Sequence, residues 1–279
     1  MAGFGEFGLF QQSESKCPLT GIPQLGNLGV IILCGLAIAV SGFLIWRSEK
    51  KEAAVGRREM QLLLGTYILV EICEIFTVGG LPIEKKIKIG FTGIHIAAIT
   101  AAFWILLLNA AVGYQILEDG TPLSLGLIGG SAFVIFIGTG YITLDTGYQW
   151  SGHFDSSLNY PNTNVGLYIL YQLAPLIFIT LFFILESFLV LKVLEEKKPM
   201  LYLGGAALLF ACGQIFNYVI SVHICTATSG KIDGSLFETL FTILAVVALW
   251  FFWSSITEDE WPTQVVVGPG YSSGPLYVS

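Results

Sequence analysis

Seven runs of mostly apolar residues, separated by short polar stretches, dominate the chain. They extend roughly from Leu28 to Trp46, Met60 to Val78, Ile89 to Tyr114, Leu123 to Leu144, Val165 to Val190, Met200 to Val222 and Leu236 to Ile256. An α-helix needs about 20 such residues to cross a hydrocarbon core of about 30 Å. The pattern therefore predicts an all-α membrane protein, a bundle of seven transmembrane helices. The third run is long enough to require tilt. Most connections are short; the exception, Asp145–Asn164, is rich in Asp, Asn, Gly and Ser. This spacing leaves no room for a second domain. It divides the chain into an N-terminal segment (1–27), a seven-helix domain (28–256) and a tail (257–279).

Composition sharpens this reading. Of the 279 residues, 54% are hydrophobic and only 12% are charged, about half the charge usual for a soluble domain. Such a chain has too few polar groups to cover a surface facing water, and its natural partner is the lipid bilayer. A sequence pI near 4.9 and the absence of any basic stripe argue against nucleic acid. The first 27 residues lack the basic, apolar and small-residue order of a signal peptide. The first helix is therefore expected to serve as the targeting signal and to be retained. No sequon for N-glycosylation occurs.

Orientation follows from Lys and Arg near the helix ends. Arg47, Lys50, Lys51, Arg57, Arg58, Lys192, Lys197 and Lys198 fall on one side; Lys16, Lys85, Lys86, Lys88 and Lys231 fall on the other. This excess of eight over five predicts an N-terminus on the lumenal or outer side and a cytosolic C-terminus.

The fourth run carries Gly126, Gly130 and Gly138 on one helical face. Small residues allow close helix approach in lipid. They are expected to form a packing face within the bundle, the alternative being a surface for another membrane protein.

Polar residues inside the apolar runs carry the candidate chemistry. Glu71 and Glu74 share one face of the second helix. A carboxylate at mid-membrane costs about 2.5–3.5 kcal/mol, against a gain of about 0.3–0.6 kcal/mol per large apolar residue. That helix is close to break-even for insertion alone, and partner helices must stabilise it. Counting from the connection between helices 2 and 3 places Glu71 and His95 at similar depths, about 10 Å in at a rise of ~1.5 Å per residue. His95 is thus the expected partner of Glu71, with Asn109, Gln214 and Asn217 as further inward-facing groups. Such a network can be a structural hydrogen-bond cluster, a client-recognition or gating element, or a proton relay or catalytic site.

Other chemistries find less support. His95, His153 and His223 fall on one side of the predicted topology, but they share no metal-ligand spacing. No Walker loop, nucleophile elbow, H-E-x-x-H or dinucleotide fingerprint is present. Helix 7 lacks a lysine for a retinal Schiff base, and Pro175 is a lone interruption of helix 5. No catalytic, cofactor or metal residue is therefore assigned. A small-solute transporter or channel using the intramembrane Glu and His is the alternative to an interaction protein, though the runs show no paired broken helices.

Several longer motifs are more specific. They are "EICEIFTVG" (Glu71–Gly79), "FTGIHI" (Phe91–Ile96), "WILLLNAAVGYQ" (Trp104–Gln115), "EDGTPLS" (Glu118–Ser124), "GTGYITLDTGYQW" (Gly138–Trp150), "NYVISVHICTATSGKIDG" (Asn217–Gly234) and "SITEDEWP" (Ser255–Pro262). On these runs the sequence resembles the fungal chitin synthase export chaperones. The resemblance implies a seven-helix protein of the endoplasmic reticulum membrane. Its client would be a polytopic chitin synthase, helped to fold and to leave that compartment in support of cell-wall chitin. It further implies a non-enzyme without a cofactor. The acids Glu258, Asp259 and Glu260 directly follow helix 7. They read either as a solvated acidic tail or, given the family's role, as a sorting signal for vesicle coat machinery.

Cysteine placement adds one expectation. Cys34, Cys73 and Cys212 lie within helices 1, 2 and 6, where a small apolar thiol is ordinary. Cys17 and Cys225 fall at the membrane surface on the side predicted to be lumenal. A disulfide there is compatible with an oxidising compartment. Free thiols too far apart to bond are the alternative.

Overall fold

The computed structural model describes residues 27–79, 81–116, 120–154, 165–228 and 232–257. Within them the chain forms seven helices long and apolar enough to span a membrane. They are α1 (Leu28–Glu49), α2 (Arg57–Thr77), α3 (Lys85–Gly113), α4 (Pro122–Tyr148), α5 (Val165–Val193), α6 (Lys198–Ala227) and α7 (Gly234–Ser255). All seven runs read from the hydrophobic pattern are present. The tail motif Glu258, Asp259 and Glu260, and Cys17 in the N-terminal segment, lie outside the described residues.

Local chemistry explains where the helices begin. Asn27, Thr121 and Asp233 precede α1, α4 and α7, and their side-chain oxygens accept from Val30 N, Ser124 N and Ser235 N. This satisfies amides that have no partner within a helix. Pro122 follows Thr121 directly, at a position where its missing N–H costs nothing. Gly56 enters α2 with φ of +69°, a conformation that glycine adopts without steric cost.

The third apolar run, α3, is long enough to require tilt, and α5 and α6 are as long as α3, at 29 and 30 residues. Both contain π-helical turns that the hydrophobic pattern does not reveal. In α5 these are Ile169–Leu173 and Leu189–Val193; in α6 the turn is Phe216–Ile220. Pro175 sits at the start of the regular segment that follows the first turn. The wide turn ends where the proline, which lacks an N–H, begins a new α-helical segment.

Packing centres on α3, which lies against α2, α4 and α5, while α7 packs on α6 and α1. The main apolar core joins Leu63 and Leu64 of α2, Ile105 and Leu106 of α3, Ile128 of α4 and Trp250 and Phe252 of α7. Polar ties hold both ends of the bundle. At one end Asn27 N donates to Gly79 O (2.8 Å), and Asn27 Nδ2 to Asp233 Oδ1 (3.2 Å). At the other, Trp250 Nε1 donates to the buried Ser48 Oγ (2.8 Å) and Trp253 Nε1 to Val55 O (2.9 Å). Helices α1 and α7 therefore run parallel, as an odd-numbered pair in a seven-span topology must.

The glycines of α4 depart from expectation. Gly126, Gly130 and Gly138 point away from the bundle, and a Cβ at any of them would meet nothing within 4 Å. The inward face of α4 is instead Ser124, Ile128, Ala132, Thr139, Thr143 and Thr146. Close approach occurs at Gly140, whose Cβ position lies 3.5 Å from that of Ala97 on α3. Small-residue spacing identifies a face but carries no information on which way the face turns.

Candidate functional site

The intramembrane polar residues form two groups at opposite ends of the bundle. The larger begins on α2. Glu71 is 1% exposed, and its Oε2 has no hydrogen-bond partner. The Tyr67 hydroxyl and the Cys34 thiol lie beside it, and Tyr67 Oη likewise has no hydrogen-bond partner. Ligating atoms of Cys34, Glu71 and Glu74 all lie within 4.8 Å of one another, and this trio contains none of the histidines.

Glu74 carries the network from α2 to α7. Its Oε1 lies 2.8 Å from Thr239 Oγ1, a hydroxyl that is also 2.9 Å from Ser235 O. One turn separates Glu74 from Glu71, so both carboxyl groups face α1 and α7. The neighbour of Thr239 is Glu238, which turns to α6. Asn217 Nδ2 donates to Glu238 Oε2 (2.8 Å) and Gln214 Nε2 to Glu238 Oε1 (3.4 Å). The network thus runs across four helices, from Cys34 on α1 to Asn217 on α6.

Of the residues singled out in the sequence, Glu71 and Glu74 lie together and Gln214 and Asn217 both meet Glu238, while His95 and Asn109 lie apart from them. His95 does not hydrogen-bond to Glu71; its Nδ1 lies 3.4 Å from Thr77 Oγ1, and its Nε2 has no partner. Equal depth in the membrane does not make two side chains meet, because the facing direction of α3 decides which α2 residue is reached. Asn109 lies 14 residues further along α3, about 21 Å away at 1.5 Å per residue. Its buried Nδ2 has no partner, and neither has the buried Oε2 of Glu186 on α5. His153 and His223 are exposed, on the segment after α4 and on α6.

Three acids escaped the sequence reading: Glu59, Glu186 and Glu238. Glu238 was findable, since it lies inside the seventh apolar run, one residue before Thr239. Glu59 is fully buried; its Oε1 accepts from Gly120 N (3.1 Å) and Ser124 Oγ (3.0 Å). It therefore fixes the start of α4 to the start of α2. Glu59 looked like part of a basic loop because it directly follows Arg57 and Arg58.

Cys225 is disulfide-bonded, whereas Cys34, Cys73 and Cys212 are free. Its predicted partner, Cys17, lies outside the described residues.

The substitution series at Glu71 separates polarity from charge. Glu71→Gln retains an acceptor near Tyr67 and Cys34, and stability in detergent is expected to stay within about 1 kcal/mol. Glu71→Leu removes the acceptor beside the Cys34 thiol and is expected to cost about 1–3 kcal/mol, Tyr67 Oη being without a hydrogen-bond partner already. Chemical unfolding of the two purified variants measures the difference, and equal midpoints would remove Glu71 from the network's structural role.

Comparison with known proteins converges on one family. The family model described as "Chitin synthase export chaperone" matches residues 6–267. A relative from Cryptococcus neoformans var. neoformans serotype D carries that same name and is 31% identical, over 80% of this chain and 61% of its own length. Another from Aspergillus oryzae is 29% identical, over 84% of this chain and 69% of its own length. For a relative from Aspergillus fumigatus the figures are 27%, 96% and 87%. The chain thus spans less than two thirds of the Cryptococcus protein. No solved structure matches. The chain belongs to the chitin synthase export chaperone family.

Proposed function

We propose that this protein is a membrane-embedded chaperone that helps a chitin synthase fold and leave the endoplasmic reticulum, and so supports cell-wall chitin. The observation that carries this reading is the match to the chaperone family over residues 6–267. The network on α1, α2, α6 and α7 supports it. Carboxyl, amide and hydroxyl groups in the apolar part of a bundle can recognise polar groups on an incompletely assembled client helix. The protein is read as acting by contact rather than as an enzyme.

The working topology has a lumenal N-terminus and a cytosolic C-terminus, supported by the excess of Lys and Arg at one set of helix ends. In that orientation Cys225 is lumenal. The fifth cysteine, Cys17, is its proposed partner, because the other three are free. Peptide mapping without reduction is expected to recover a peptide pair joining Cys17 to Cys225. Alkylation of a free Cys17 thiol in the intact protein would reject the pairing. The acids Glu258, Asp259 and Glu260 are proposed to be cytosolic and available to coat machinery.

Deleting the protein in its own organism is expected to hold a chitin synthase in the endoplasmic reticulum at steady state, with the synthase mRNA unchanged. Normal distribution of every chitin synthase in the deletion strain would refute the chaperone reading.

A further inference from the structure

The polar network comes close to the seam between α5 and α6, where Asn217 and Gln214 of α6 meet Glu238. Helix α5 packs on α3 and α6 packs on α7, and contact between α5 and α6 is sparse. Each carries a π turn there, Ile169–Leu173 and Phe216–Ile220. The two turns are bridged by side chains: Tyr218 Oη donates to Gln172 Oε1 (3.5 Å), and the Tyr171 and Tyr218 hydroxyls meet. Directly behind Asn217 and Gln214 stands Glu238, half-buried, with Glu74 as its electrostatic neighbour. The rim of this seam is apolar and exposed, formed by Ile169, Leu173, Ile215 and Val219. In a bilayer such a rim faces hydrocarbon.

The charge inventory is lopsided. Among the described residues, Lys and Arg in the helices sit near the helix ends, as do Arg47, Arg58, Lys88, Lys192 and Lys198. Glu238 lies one turn into α7 and Lys88 at the start of α3, at the same end of the bundle, yet Glu238 is met by the amides of Asn217 and Gln214. Glu71, next to Glu74, adds a third carboxyl group that is almost fully buried and whose Oε2 is without a partner.

We propose that the α5–α6 seam receives a transmembrane helix of the client that carries a Lys or Arg within its apolar stretch, the cation meeting Glu238 behind the tyrosine pair. This rests on the chaperone reading and names the surface that performs it. A cationic group in an unassembled helix is unstable in lipid. Pairing with a carboxylate shelters it, and the client's own partner helix displaces the chaperone once assembly completes.

The test uses the full chain co-expressed with its chitin synthase. A photo-crosslinking amino acid is placed at Val219 or Leu173 on the seam, or at Val134 on the outer face of α4. Cross-links to the synthase are expected from Val219 and Leu173 and not from Val134. Glu238→Gln keeps one acceptor, for the closer amide of Asn217, while a flipped Gln214 amide can accept from the new NH2, and the charge is lost. The variant is expected to lower the seam cross-link at least fivefold without altering the amount of folded protein. Cross-links that come only from Val134, or seam cross-links only to a second copy, would overturn the proposal while leaving the chaperone reading intact. Seam cross-links indifferent to Glu238→Gln would overturn the role of charge. The wild-type pattern does not depend on any acid variant folding. Failure of the chaperone reading would show separately, as normal synthase export in the deletion strain.

Discussion

Glu59→Leu is expected to weaken the folded bundle by about 1–3 kcal/mol, because the buried Ser124 hydroxyl loses its acceptor, whereas Gly120 N, on an exposed residue, can turn to water. Gly120 N and Ser124 Oγ lie 3.1 and 3.0 Å from Glu59 Oε1. Leucine fills similar space but accepts no hydrogen bond. The effect should concentrate at the turn between α3 and α4, where Thr121 caps the following helix and Gly120 holds a φ of +65°. Glu59→Gln preserves one acceptor and should recover most of the loss. Unfolding midpoints of the purified variants in detergent measure both. A Leu variant as stable as the wild type would show that the carboxylate tie contributes nothing to the fold.

Gly234→Ala is expected to be at least as damaging, about 3 kcal/mol or more, at the upper end of overpacking effects. A Cβ at Gly234 would lie 2.2 Å from Phe216 O and 2.7 Å from Ser221 Cβ. The first obstacle is backbone, so no side-chain rotation relieves it. Gly234 N also donates to Ser221 Oγ (3.0 Å), which fixes the start of α7 against the π turn of α6. Pushing these segments apart would move Glu238 away from Asn217 and Gln214, so client binding should fall together with stability. Gly205→Ala on α6 is the matched control, since its Cβ would meet nothing within 4 Å. Alanine there is expected to be neutral or slightly stabilising, as helix propensity favours it over glycine by about 1 kcal/mol. The ratio of monodisperse to aggregated protein after membrane extraction, compared across the two variants, decides the matter. Equal recovery would contradict the close packing of α6 on α7.

The seven spans were legible because burial in lipid demands long, unbroken apolar runs, and the runs from Leu28 to Ile256 have that length. The π turns were not legible, since a single widened turn barely disturbs an all-apolar pattern. At the site, the cost of placing Glu71 and Glu74 in lipid correctly signalled that other helices must meet α2. It could not say which atoms would do so. Thr239 and Cys34 do, and His95 pairs with Thr77 instead. The choice depends on helix rotation, which neither depth nor spacing determines. The same ignorance of rotation placed Gly126, Gly130 and Gly138 inside, although they face outward. Glu238 could have been found in the same way, as an acid inside an apolar run, although it changes the mean hydropathy of that run little; it anchors two amides.

The central claim, that this chain escorts a chitin synthase out of the endoplasmic reticulum, is tested most directly in time. The protein is depleted acutely and a newly made, tagged synthase is followed by pulse-chase. The account predicts synthesis at the normal rate, accumulation in the endoplasmic reticulum as high-molecular-weight species, and release when the protein is restored. Arrival of the new synthase at the cell surface at the normal rate, without aggregation, would contradict it.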